Sequence, residues 1–230
     1  DFDKTPPKSS KYWGVNIPHS EKPRSPRIIR GVRMAVLVNA KIDSLLEATS
    51  RSFYPTLKYL PKKIRGQIGL LYLLARVADT IADSREGETE ELKRLLSQYN
   101  DVAQGRSDTL PDFNEIAEIQ DNESEAELLR NVPDVIEGLQ EYSEADRERM
   151  LECLETIVGG QILDLDRFGV AKAKEGGEIS ALVNNQEMDD YTYRVAGCVG
   201  VFWTKMSLSH LISLGLSLIH ISEPTRQAMI

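Results

Sequence analysis

The chain has little of what marks a metal cluster, a disulfide scaffold or a secreted protein: two cysteines and three histidines in 230 residues. Cys153 and Cys198 both lie in apolar, helix-like sequence, so they read as small core residues of a reduced protein rather than a disulfide or a zinc site. His19, His210 and His220 are too scattered to suggest a cluster, and each reads as incidental. An excess of positive charge is also missing. The net charge is −8, which gives no reason to expect a nucleic-acid partner. Strand-like alternations are scarce while stretches rich in Glu, Lys, Leu and Ala are long, so the expected fold is all-α. With 41% hydrophobic and 28% charged residues the composition is that of a soluble globular protein, long enough for one large domain with its own core.

The first 33 residues differ in kind. They carry eight Lys or Arg against three Asp or Glu, a net of +5, together with Pro6, Pro7, Pro18, Pro23 and Pro26. Such a segment reads as a basic, flexible, extended arm. It lacks the apolar run of a signal peptide, so the expected location is the cytoplasm. Its charge would favour peripheral contact with an anionic membrane surface, weighed against the simpler reading of a solvated tail. The chain starts at Asp1 rather than Met, as a processed product or a fragment would.

From residue 34 the pattern turns helical. An amphipathic helix is expected from Met34 to Ser50, with Val36, Leu37, Ile42, Leu45 and Leu46 inward. Residues 64–82 are apolar nearly all round, so that helix should be buried, with Pro61 placed to open it. Residues 88–143 read as two or three helices joined at Gly105–Asp112 and near Pro133, without visible chemistry. Ser143 followed by Asp146 resembles a capping arrangement that opens a helix through Phe168. A further helix is expected over Glu187–Leu214, where Gly197 and Gly200 would serve close packing or, as the less favoured reading, leave room for a ligand.

Tyr72, Arg76, Asp79 and Asp83 step by four, three and four residues, the spacing of a single helix stripe. Two carboxylates in an apolar stripe repel each other and lose hydration, so they require compensation. Either a structural ion pair with Arg76 supplies it or a hard cation such as Mg²⁺ does, with phosphate and water filling the remaining positions. Asp164, which shares a stripe with Gln161 and Phe168, is placed to face the same interior. Ser50, Arg51 and Ser52, just before the helix-breaking Pro55, would make an oxyanion cradle or a plain polar turn.

Three segments together carry a resemblance. Ser50-Arg-Ser-Phe, Tyr72-x-x-x-Arg-x-x-Asp-x-x-x-Asp83 and Tyr191-x-Tyr-x-Val-Ala-Gly-x-Val-Gly200 resemble, in order and spacing, the motifs of the squalene/phytoene synthase family. The resemblance implies a class I isoprenoid synthase helical bundle around a central apolar cavity. It also implies transferase activity, the head-to-head condensation of two farnesyl diphosphates to presqualene diphosphate and squalene. Asp79 and Asp83 would hold Mg²⁺, Arg51, Arg76 and Ser50 or Ser52 would steady the diphosphate, and Phe53 and Tyr72 would line the site. Tyr191 would assist proton removal or stabilise a cation. Val195, Ala196, Val199, Gly200 and Trp203 would shape a tunnel for the prenyl chains, and Asp164 would face the substrate. The family's reductive step draws hydride from NADPH, although the sequence holds no Gly-rich dinucleotide turn. A monomer is expected.

The family's second Asp-rich motif, roughly Asn-x-x-Arg-Asp-x-x-x-Asp, does not follow Gly215. Residues 216–230 resemble translated adapter sequence instead. Residues 34–215 therefore read as a partial synthase domain, truncated at the C-terminus and impaired in turnover. Phytoene or dehydrosqualene is the alternative product, though Thr49-Ser-Arg-Ser-Phe favours the two-farnesyl one. A terpene cyclase or chain-elongating prenyltransferase would show a denser Asp-Asp-x-x-Asp. A non-catalytic helical homologue acting in assembly or binding would be expected to lose Arg76, Asp79 or Asp83, and all three are present.

Overall fold

The computed structural model describes residues 39–84, 88–172 and 181–211. The basic arm, residues 85–87 and the tail at 216–230 lie outside them. All regular elements among the described residues are helical, and none is long and apolar enough to cross a membrane. The helices are α1 (Ala40–Ser50), α2 (Tyr54–Tyr59), α3 (Lys62–Ala82), α4 (Thr89–Ala103), α5 (Asn114–Glu118), α6 (Glu123–Arg130), α7 (Val132–Glu137), α8 (Glu144–Lys172), α9 (Asn185–Thr192) and α10 (Cys198–His210).

The structure centres on α3, whose buried residues run all round its axis, from Ile64 and Ile68 to Val77 and Ile81. It packs against α8, α4, α1 and α6. Such a helix exposes too little polar surface to stand at the edge of a bundle, which is why it becomes the core. The buried Tyr99 of α4 donates its hydroxyl to the Leu74 carbonyl of α3 at 2.9 Å, so its polar tip is satisfied inside the core. Pro61 caps α3 one position before its first turn.

The helix starts follow local chemistry. Asn39 accepts from the Ile42 N–H at 2.9 Å and caps α1; the part of that helix expected over residues 34–38 lies outside the described residues. Ser143 Oγ accepts from the Asp146 N–H at 3.3 Å, which caps α8, and that helix runs on past Phe168 to Lys172, about 44 Å at the usual rise. Asp146 does not reach back as a capping box would. It is 4% exposed and instead accepts from Gln67 of α3 at 3.2 Å, Arg149 at 3.0 Å and meets His210 of α10 at 2.9 Å. His210 is therefore not incidental: it ties the end of α10 to the start of α8.

Two expectations are corrected. Residues 88–143 form four helices and a 3₁₀ turn rather than two or three helices: the expected joints at Gly105, at φ +70, and at Pro133 are there, and a further break falls between α5 and α6, where the Asn122 side chain accepts from the Ser124 N–H and caps α6. The helix expected over Glu187–Leu214 is interrupted by a π-helical turn at Tyr193–Gly197, which separates α9 from α10. Such turns are rare and occur often at functional sites.

Candidate active site

Asp79 and Asp83 lie at the C-terminal end of α3, where the helix dipole adds its own partial negative charge. They border a cleft of about 200 Å³ together with Gln161, Asp164, Tyr191 and Arg194, and with the apolar Ala82, Ile157, Leu165 and Val195. Three carboxylates and the Tyr191 phenol, on three helices, thus meet at one opening. The cleft is mixed rather than apolar throughout, and small beside the roughly 300–1,000 Å³ usual for ligand pockets.

Asp79 is 44% exposed and accepts a hydrogen bond from the Gln161 amide of α8. Its other oxygen lies 3.9 Å from Arg76 Nη1. Burial and the neighbouring Asp83 outweigh Arg76 and hold the Asp79 carboxyl above the usual carboxylate range. Arg76 is engaged elsewhere: Glu125 of α6 takes its Nη2, and Asn122 donates to the same Glu125 oxygen at 2.8 Å. The Arg76 Nε is buried without a hydrogen-bond partner. The structural ion pair is therefore present in outline, and it leaves Asp79 under-compensated.

Tyr72 continues the stripe. Its hydroxyl donates to the Thr49 carbonyl at 3.2 Å, and its ring lies 5.4 Å from that of Phe53. Burial pushes its phenol up, while Arg76 and, more weakly, Arg51 pull it down, which places Arg51 in the same neighbourhood. Arg51 stands at φ 40, a conformation that costs an L residue roughly 1–3 kcal/mol and is typical of functional turns. Arg51 and Ser52 are exposed, while Ser50 is buried and donates its hydroxyl to the Leu46 carbonyl at 2.5 Å. Of the three residues expected to form the cradle, Arg51 and Ser52 are open to a ligand.

Of the five residues expected to shape a tunnel, Val195 borders the cleft at 53% exposure. Val199 and Trp203 pack partly against the core, and Ala196 and Gly200 face outward. A Cβ on Gly200 would meet nothing within 4 Å, so close packing does not explain that glycine, whereas a Cβ on Gly197 would come within 3.1 Å of the Tyr193 ring.

The arrangement suits a hard cation. Its donors are oxygens, and Gln161 Oε1 beside Asp79 is buried without a hydrogen-bond partner. Among the described residues no group of three or more His, Cys, Asp or Glu side chains is placed to hold a metal ion. Mg²⁺ does not need such a group, since it keeps water or phosphate oxygens in most positions. Sequence reasoning missed Glu125, which nothing in Glu-Ser-Glu-Ala-Glu distinguishes from its neighbours, and Arg194. The signal for Arg194 was its i,i+4 spacing from Asp190.

The family model described as squalene/phytoene synthase matches residues 46–215. The search of curated proteins gave no match. Among solved structures, TcSQS in complex with a ligand aligns at a TM-score of 0.53 and 20% identity, over 73% of this chain. At that identity the likeness shows the fold, which is the all-α squalene synthase fold. The chain spans 43% of the length of that relative.

Proposed function

Because the chain belongs to the squalene/phytoene synthase family, we propose that its cleft binds the diphosphate of an allylic prenyl donor and supports head-to-head condensation of two farnesyl diphosphates. The observation that carries this reading is the convergence of Asp79, Asp83 and Asp164 on one cleft with Tyr191 in its wall. Asp79 and Asp83 would hold Mg²⁺, which when bound would supply Lewis-acid charge neutralisation at the diphosphate, and Asp164 would face the substrate. Arg76, Arg51 and Ser52 would bind diphosphate oxygens. The C–O bond then breaks with its electron pair leaving on diphosphate, and the allylic cation is captured by the double bond of the second farnesyl chain. Ring closure to presqualene diphosphate releases one proton, and the Tyr191 phenol oxygen would accept it or stabilise the cation. Ile157, Leu165 and Val195 would supply the apolar side of the cleft against which the cation lies.

Squalene is the expected product by the family's chemistry, with phytoene or dehydrosqualene as the nearest alternatives. Squalene as product needs a hydride, which by the family's chemistry would come from NADPH, although the sequence itself holds no Gly-rich dinucleotide turn. Binding of an allylic diphosphate through Mg²⁺ is the measurable core of this proposal. Titration with farnesyl thiodiphosphate, an analogue that ionises slowly, tests it. Binding should require Mg²⁺, and products made from farnesyl diphosphate should include presqualene diphosphate by mass spectrometry. Binding indifferent to Mg²⁺ would sink the reading.

A further inference from the structure

The cleft also has a cationic wall. Arg194 lies inside the π-helical turn, and its Nε donates to both carboxylate oxygens of Asp190 at 3.0 and 2.9 Å. No hydrogen bond joins its two terminal amino groups to another described residue. The side chain lies across paired glycines of α8. A Cβ on Gly160 would stand 2.9 Å from Arg194 Cβ, and one on Gly159 would stand 3.1 Å from Nη1. Two adjacent glycines in a helix interior each cost roughly 0.5–1 kcal/mol relative to alanine, and the space they leave is filled by this one side chain.

A guanidinium fixed along its Nε edge keeps its terminal donors for a second planar or tetrahedral oxyanion. Arg194 reaches the cleft from the α9–α10 side, while Asp79 and Asp83 reach it from α3. A cation on one side of an opening and two carboxylates on the other suit a ligand that is itself an anion carrying a metal ion.

Resting on the function proposed above, we propose that Arg194 is a diphosphate-binding residue of this cleft. Its terminal amino groups bind phosphate oxygens, and Asp190 positions it. A residue serving merely as a brace between α8 and α10 would make a different set of measurements move.

Calorimetric titration of the full chain with inorganic diphosphate, with and without Mg²⁺, separates these roles. Arg194→Gln should weaken diphosphate binding about tenfold or more, the loss expected for a charge-assisted hydrogen bond. Its Mg²⁺ affinity without diphosphate should stay unchanged or rise, because a cation has left the cleft. Arg194→Lys should fall between, and Asp190→Asn should lose less than Arg194→Gln. Unchanged diphosphate binding in Arg194→Gln overturns the proposal. So does a parallel loss of Mg²⁺ and diphosphate binding that tracks a fall in thermal midpoint. Asp79→Asn keeps the two levels apart. If it abolishes Mg²⁺-dependent binding while Arg194→Gln changes nothing, the Arg194 assignment alone fails. If Asp79→Asn leaves that binding intact, the functional reading fails first.

Discussion

Asp146 and Asp79 occupy two places on the same pair of helices, and each is met by a glutamine from the opposite helix. Gln67 of α3 donates to Asp146 of α8, and Gln161 of α8 donates to Asp79 of α3. Beyond that likeness their surroundings diverge. Asp146 gains Arg149 and His210, and these bonds overcome burial and hold its carboxyl below the usual range. Asp79 has a cation only at 3.9 Å, shared with Glu125, and a second carboxylate one turn on, so its carboxyl is held above that range. A carboxylate whose lone pairs are all taken fastens helices together. One that is left short of donors concentrates negative potential for a ligand.

The comparison breaks most visibly at Asp146. Removing the shared acceptor in Asp146→Ala strands Gln67, Arg149 and His210 around a buried hole. The expected cost is about 3 kcal/mol, the low end for breaking a buried ion pair. Urea denaturation measures it. A loss below about 1 kcal/mol would reduce this cluster to the standing of a surface salt bridge.

Acid pH should resolve the two carboxylates with opposite signs. The folded-state pKa of Asp146 is lowered, so its stabilisation is present above the ordinary carboxylate value of 3.8 and is lost as pH falls through the lowered value. Asp146→Asn should therefore flatten the acid limb of the stability curve. The folded-state pKa of Asp79 is raised, so its contribution is present below 3.8 and is lost as pH rises through the raised value. Asp79→Asn should consequently be more stable than the parent chain near neutral pH. Urea midpoints over a pH series, with a less stable Asp79→Asn at neutral pH, would remove the claim that Asp79 is under-compensated.

Much of this was legible in sequence because it depends on spacing within one helix. The stripe of Tyr72, Arg76, Asp79 and Asp83, the buried character of α3 and the placing of Asp164 toward the same cleft all follow from a 3.6-residue period. What stayed hidden depends on contacts between helices far apart in the chain. Glu125 reaches Arg76 across 49 positions and His210 reaches Asp146 across 64, and no local pattern encodes either. The π-helical turn was hidden for another reason. Tyr-Arg-Val-Ala-Gly satisfies the helical pattern, and the widened turn accompanies the close seating of Arg194 on Gly159 and Gly160.

The finest test of the comparison exchanges the two glutamines for leucine. At Gln67 the amide serves a buried, fully engaged carboxylate, so Gln67→Leu should cost about 1 kcal/mol, the usual net worth of a hydrogen bond. At Gln161 two effects oppose each other. Its amide N–H₂ donates to Asp79, but its Oε1 is buried without a partner, so leucine removes one bond and also one unsatisfied acceptor. Gln161→Leu should therefore leave stability nearly unchanged, within about 0.5 kcal/mol. It should push the Asp79 carboxyl still higher and weaken Mg²⁺ binding, because a donor favouring the charged form has gone. Equal destabilisation by the two substitutions, measured by urea denaturation, would mean that Gln161 serves the fold as Gln67 does, and the α3–α8 pair would then fasten its two ends in the same way.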